Sequence, residues 1–185
     1  YYTPACTPLC SLDLTKNPFM TSVTYDSSLN RCVAQCSVGS IRNIDTGLCE
    51  KTSISSSAGP LILDVSKSPV VLSRGNYILK IFQNSTAPRN TFVRFQNISG
   101  SFVYDLAVAT ATGQGSGANY IKLEVLSSGG FQVSRSQTQT GWNIVQTVTV
   151  DQTLGTGPFT LEITNSGNLV LKNSGGGIVW KNGSS

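Results

Sequence analysis

All five cysteines of this chain fall within its first fifty residues, as Cys6-x3-Cys10, Cys32-x3-Cys36 and Cys49, and none follows. So short a segment buries too little apolar surface to hold itself together, so covalent staples must do what a core would do elsewhere. Disulfides persist in oxidising compartments, and the crowding therefore predicts an extracellular protein, secreted or at the cell surface. Five cysteines leave one over. Cys36 is expected to close on Cys49 and Cys32 to reach back to Cys10 or Cys6. Cys6, beside the extended Tyr1-Tyr2-Thr3-Pro4-Ala5 start, is the candidate leftover, free or paired with another chain. Zinc is the competing use of paired cysteines, but x3 spacing and the absence of histidine argue against it.

Charge narrows the partners further. Thirteen Lys and Arg against nine Asp and Glu give a formal charge of +4, and the basic residues are scattered between Lys16 and Lys181. No run or stripe among them can track a phosphate backbone, so no nucleic-acid partner is expected. The longest apolar runs, Leu61 to Val65 and Tyr77 to Phe82, are strand-sized and far short of the roughly 20 residues that span a bilayer, so no membrane insertion is expected. The chain starts at Tyr1 without methionine or a charged-then-apolar leader, so a signal peptide, if one existed, is expected to have been removed, and a fragment of something longer is the alternative.

Three segments emerge. Residues 1–50 form a disulfide-stapled cysteine-rich module. Residues 51–60, Lys51 to Pro60, have the small polar composition of a Ser/Thr-rich linker. Residues 61–185 alternate with period two. Phe102, Tyr104, Leu106 and Val108 share one face of a strand; so do Ile121, Leu123 and Val125, and again Phe159, Leu161 and Ile163. Further strands are expected at Tyr77 to Gln83, Thr91 to Gln96, Phe131 to Ser136, Trp142 to Val150, Leu169 to Lys172 and Ile178 to Lys181. Turn signals such as Gly75-Asn76, Ser127-Ser128-Gly129-Gly130 and Gly167-Asn168 lie between them. The fold class is all-β, an antiparallel β-sandwich or jelly roll, with a lectin-like β-prism as the alternative. Trp142, Trp180, Phe159 and Phe102 are expected as core anchors.

Catalytic chemistry finds little to stand on. Without histidine, the Ser-His and Cys-His arrangements are excluded. The β body holds only Asp64, Asp105, Glu124, Asp151 and Glu162, and three of these fall on polar strand faces, where a solvated charge needs no function. The glycines of Gly113-Gln114-Gly115-Ser116-Gly117 open no helix and precede no Lys-Ser/Thr pair, so no phosphate cradle follows. No catalytic residue, metal site or cofactor is expected. Three N-x-[ST] sequons, at Asn84, Asn97 and Asn182, are candidate N-glycosylation sites; in a eukaryotic source sugar is expected on at least Asn84.

Two stretches resemble known families. Arg31-Cys32-Val33-Ala34-Gln35-Cys36-Ser37-Val38-Gly39, with Asp45-Thr46-Gly47-Leu48-Cys49, resembles the furin-like, growth-factor-receptor cysteine-rich repeat, which implies a rigid spacer or docking module. Near the other end, the segment from Phe159 to Trp180, with Thr164-Asn165-Ser166-Gly167-Asn168-Leu169-Val170 at its centre, resembles the bulb-type, monocot mannose-binding lectin repeat. Ser73-Arg74-Gly75-Asn76-Tyr77-Ile78-Leu79 and Gly117-Ala118-Asn119-Tyr120-Ile121 are fainter echoes. That family reads sugar hydroxyls with Gln-x-Asp-x-Asn-x-Val-x-Tyr on a hairpin. Asn168 and Val170 keep their places and are the candidate sugar-binding residues, whereas Thr164, Ser166 and Lys172 replace the Gln, Asp and Tyr. The resemblance implies a prism fold, and the loss of Asp removes the charged acceptor that strengthens hydroxyl recognition.

Together these features predict a non-enzymatic extracellular structural or assembly protein, a subunit of a surface coat, fibre or adhesive array that contacts other copies of itself. The alternatives are a carbohydrate-binding lectin-like module with glycans as partners, and an ectodomain fragment of a surface receptor or adhesin.

Overall fold

Two units divide the chain, Tyr1–Lys51 and Thr52–Ser185, in a computed structural model that describes residues 10, 18–43, 47–86, 88–111 and 118–183. Cys6 and the glycines of 113–117 lie outside the described residues.

In the first unit, β1 (Met20–Asp26) and β2 (Arg31–Cys36) form an antiparallel hairpin, and β3 (Ile41–Arg42) pairs with β4 (Cys49–Glu50). The turn between β1 and β2 is an Asx turn. Asp26 Oδ1 accepts the Ser28 hydroxyl at 2.6 Å and the Ser28 and Leu29 N–H groups at 2.9 and 3.2 Å. These bonds, the hydroxyl first, hold its carboxyl below the usual range. Disulfides join Cys10 to Cys32 and Cys36 to Cys49, across sequence separations of 22 and 13. The second is the expected pairing, and Cys32 takes Cys10 of its two options. Closing loops of this size restricts the unfolded chain by about 3 kcal/mol each. An isolated hairpin is only marginally stable in water, so these staples are what make the module structured. They also suit an oxidising, extracellular environment.

The second unit is built from three four-stranded antiparallel sheets. Its strands are β5 (Ser53–Ser55), β6 (Leu61–Asp64), β7 (Val70–Arg74), β8 (Tyr77–Gln83), β9 (Thr91–Asn97), β10 (Phe102–Ala109), β11 (Tyr120–Val125), β12 (Gly130–Ser136), β13 (Asn143–Thr149), β14 (Thr160–Ile163), β15 (Leu169–Lys172) and β16 (Ile178–Lys181). Each sheet is a three-strand meander, β8-β9-β10, β11-β12-β13 or β14-β15-β16, completed by a fourth strand from the N-terminal stretch of the unit. β7 completes the first, β6 the second and β5 the third, each against the leading strand of its meander.

One pattern recurs in all three. The leading pair of strands in each sheet sets two buried apolar residues opposite two others: Leu79 and Ile81 opposite Phe95 and Val93, Leu123 and Val125 opposite Val133 and Phe131, Leu161 and Ile163 opposite Leu171 and Leu169. These twelve side chains belong to a single core cluster. Trp180 of the third sheet meets Phe131 of the second edge-on at 5.0 Å and Tyr104 of the first at 6.1 Å. The expectation of an all-β antiparallel body holds, its strands forming three sheets that share one core.

Two expectations need correction. The segment 51–60 is not a linker, because Ser53–Ser55 pairs with β14 and Ile54, opposite Leu161, is 3% exposed. One apolar residue among serines carries too little periodicity to be read as a strand, yet its neighbours supply a ready-made edge. Second, the strict alternation read over 102–108 is broken by register shifts between Phe102 and Tyr104 and between Asp105 and Ala107. Each such bulge turns the side chains beyond it over. Phe102 is accordingly 59% and Val108 38% exposed, while Tyr104 and Ala107 face inward. Of the four expected anchors, Phe159 is buried and Trp180 packs on the core. Trp142 is half-buried outside it, with Lys122 Nζ 5.4 Å from the centre of its ring.

Candidate functional site

The hairpin between β14 and β15 gathers the residues that resemble the lectin repeat, and it closes them on one another. Gly167, at φ +73, makes the turn, with its N–H on the Thr164 carbonyl at 3.0 Å and the Thr164 N–H on the Asn168 carbonyl at 2.8 Å. Thr164 and Ser166 share a hydroxyl bond of 2.9 Å, the Asn168 N–H donates to Thr164 Oγ1 at 3.1 Å, and Asn168 Nδ2 donates to Ser166 Oγ at 3.0 Å. Lys172 is spent on Glu162 at 2.6 Å. Val170 sits in register with Glu162 and Lys181 but is 1% exposed, so it offers no apolar platform to a ring. Asn168 and Val170 thus lie together on one hairpin, with their hydrogen-bonding neighbours already occupied.

A different set of polar side chains remains open. At the seam between the first and second sheets, Asp64, Val65 and Ser66 at the end of β6, Gln83 at the end of β8, and Ala118, Asn119 and Tyr120 leading into β11 line a cleft of about 250 Å³. Each polar side chain is anchored through one part and leaves another free. Gln83 Nε2 donates to the Ala118 carbonyl at 2.9 Å and to Thr91 Oγ1 at 3.2 Å. Asn119 Nδ2 donates to the Gln137 carbonyl at 3.1 Å. Asp64 Oδ1 accepts the Ser66 hydroxyl at 2.6 Å and its N–H at 3.0 Å, capping the 3₁₀ turn Val65–Lys67. Those bonds, the Ser66 hydroxyl first, hold the Asp64 carboxyl below its usual range, so it is ionised at neutral pH. Gln83, Asn119, Asp64 and Tyr120 therefore line one space, the first two with carboxamide oxygens left unpaired among the described residues.

Tyr120 reaches this space through a change of phase. Asn76-Tyr77-Ile78 and Asn119-Tyr120-Ile121 open equivalent strands with the same three residues. In β8 the buried positions are Leu79 and Ile81, which turns Tyr77 inward onto Phe95 at 5.7 Å. In β11 they are Ile121 and Leu123, which turns Tyr120 outward beside Asp64. Sequence reading missed the cleft because its walls come from three separated stretches. The local signals present were the Asp64-x-Ser66 cap and the polar start of an alternating strand.

The outer face of the first sheet is the third unusual surface. Register places Phe82, Phe92 and Val108 in one row across β8, β9 and β10, and Lys80, Arg94 and Asp105 in the next. Arg94 makes a two-pronged ion pair with Asp105, at 2.6 and 3.0 Å, which raises its pKa. Its guanidinium also lies 4.9–5.1 Å from the centres of the Phe82, Phe92 and Phe102 rings. A solvent-side strand face with this many aromatics departs from the usual apolar-in, polar-out pattern.

The sequon asparagines are partly committed. Asn84 Oδ1 accepts the Asn90 N–H at 2.6 Å, Asn97 Oδ1 that of Ser99 at 3.0 Å, and Asn182 Oδ1 that of Leu169 at 2.8 Å. Asn84 and Asn97 stand at the two ends of the β9 connections, and Asn182 follows β16. Among the described residues no group of three or more His, Cys, Asp and Glu side chains could hold a metal, and no helix is long and apolar enough to cross a membrane. Comparison with known proteins gives no matching family model, curated protein or solved structure.

Proposed function

We propose that residues 52–185 form a carbohydrate-binding module of an extracellular protein, with no catalytic role of its own. The observation that carries this reading is the threefold repetition of a four-stranded sheet around one core, in a chain whose C-terminal hairpin resembles the bulb-type lectin repeat. The carboxylates fit the same reading. Asp105 and Glu162 are held in ion pairs, and Asp64 and Asp151 cap 3₁₀ turns. Only Glu124 of the five has neither duty, and a lone carboxylate lacks the partner that glycoside hydrolysis requires. The disulfide-braced first unit supports secretion or display at a cell surface.

A glycan array probed with the disulfide-intact chain tests the reading. Saturable binding to neutral glycans at about millimolar affinity or tighter is the expected result. Uniformly blank spots across hexoses, N-acetylhexosamines and their oligomers would remove it.

The outer face of the first sheet favours a second reading, assembly with other copies of the chain. Its exposed Phe102 and Val108, next to the Phe82–Phe92 stack, form an apolar patch rimmed by Lys80, Arg94 and Asp105. Sedimentation velocity over a hundredfold concentration range should then show association that Phe102→Ser weakens. A monomer throughout would exclude this reading.

A further inference from the structure

We propose that the seam cleft lined by Asp64, Gln83, Asn119 and Tyr120 is the ligand site of the β body, and that it takes a single neutral pyranose through its hydroxyl groups. This rests on the carbohydrate-binding reading and assigns that binding to a place other than the lectin-like hairpin.

The choice of ligand follows from which atoms are left. Gln83 and Asn119 spend their N–H donors on backbone carbonyls, so their carboxamide oxygens cannot flip away, and neither oxygen has a hydrogen-bond partner among the described residues. Asp64 commits one oxygen to Ser66, while the other lies 3.7 Å from the Lys67 ammonium. The cleft is therefore an array of fixed acceptors, complementary to a ligand that presents several O–H donors from one rigid ring. Fixing them beforehand removes the ordering cost that otherwise erodes affinity. A metal cation would need more charged oxygen, because Asp64 is the only carboxylate among the described residues that line the cleft and Lys67 already offsets it.

Size and walls agree. A volume of about 250 Å³ falls just under the range of roughly 300–1,000 Å³ for drug-sized ligands, which suits one ring rather than an extended chain. Val65 and Ala118 are buried beneath the cleft, and the half-buried Tyr120 ring gives it a side wall with a polar tip. By contrast the β14–β15 turn ties the Thr164 and Ser166 hydroxyls and the Asn168 side-chain N–H to one another, and Val170 beside them is buried.

Titration of the ¹⁵N-labelled wild-type chain with the methyl glycosides of mannose, glucose, galactose and N-acetylglucosamine provides the test. One of them should shift the side-chain amide resonances of Gln83 and Asn119 and the backbone amide of Tyr120, saturating with one common constant. Asn119→Ala and Tyr120→Ala should each weaken that binding by about tenfold, the value of one good hydrogen bond or ring contact, while Asn168→Ala leaves it unchanged. Thermal melting of the variants shows whether the fold survives, and the wild-type shift map stands whether or not it does. Saturating shifts centred on residues 164–172, or a loss confined to Asn168→Ala, would overturn the cleft and leave the carbohydrate reading intact. So would an active glycan array with no glycoside shifting Gln83, Asn119 or Tyr120. A blank array and a blank titration together would sink both.

Discussion

Phe131→Ala is expected to destabilise the β body by about 3–5 kcal/mol, the cost of emptying a fully enclosed aromatic site. Phe131 has no exposed surface, stands opposite Val125 in the second sheet and meets Trp180 of the third at 5.0 Å, so its ring fills the space where separate sheets converge. None of the surrounding strands can move in to fill the void without breaking its own ladder, which places the loss at the upper end of the usual span. For a unit of this size the midpoint of thermal unfolding should fall by roughly 10 °C or more. Phe102→Ala supplies the contrast. That ring is 59% exposed on the outer face, and its removal should cost under about 1 kcal/mol. Urea unfolding followed by tryptophan fluorescence measures both. Comparable losses at the two positions would mean that Phe102 is packed inward and that the register shifts in β10 are misplaced.

That contrast also marks the limit of what the residues reveal unaided. The strands Tyr77–Gln83, Leu169–Lys172 and Ile178–Lys181 are legible to the residue, because each is a short apolar run bounded by clear turn signals. The alternation over 102–108 looked regular, but the two bulges are set by pairing with β9, a partner that period-two reading cannot see. Ser53–Ser55 was invisible for the same reason: a three-residue edge strand is defined by β14, more than a hundred positions away. The Asn168 hairpin could be found because its residues are contiguous. The cleft could not, since Asp64, Gln83 and Asn119 become neighbours only after the first and second sheets close on one core.

Gly130→Ala should be nearly as damaging as the loss of Phe131, at roughly 3–5 kcal/mol, although it adds only one methyl group. Gly130 lies at φ +110, where an L side chain costs about 1–3 kcal/mol in backbone strain. A Cβ there would come within 2.0 Å of the Val148 carbonyl oxygen, which belongs to the neighbouring strand and cannot rotate aside. Gly100→Ala separates the two causes, because Gly100 has φ +95 but nothing within 4 Å of its would-be Cβ, leaving strain alone. Equilibrium unfolding should therefore place Gly130→Ala at least about 2 kcal/mol below Gly100→Ala, the overpacking share. Equal losses would show that β13 does not press on this turn. The comparison bears on binding as well. Ile163 faces Leu169 in the third meander as Val125 faces Phe131 in the second, which makes Gly130 the counterpart of Asn168. A position that admits no Cβ admits no asparagine, so the second sheet cannot carry the lectin-like hairpin in any sequence that keeps this backbone. A ligand of the second sheet must be met by side chains other than this hairpin's, and Asn119 and Tyr120, at the opposite end of β11, line the cleft.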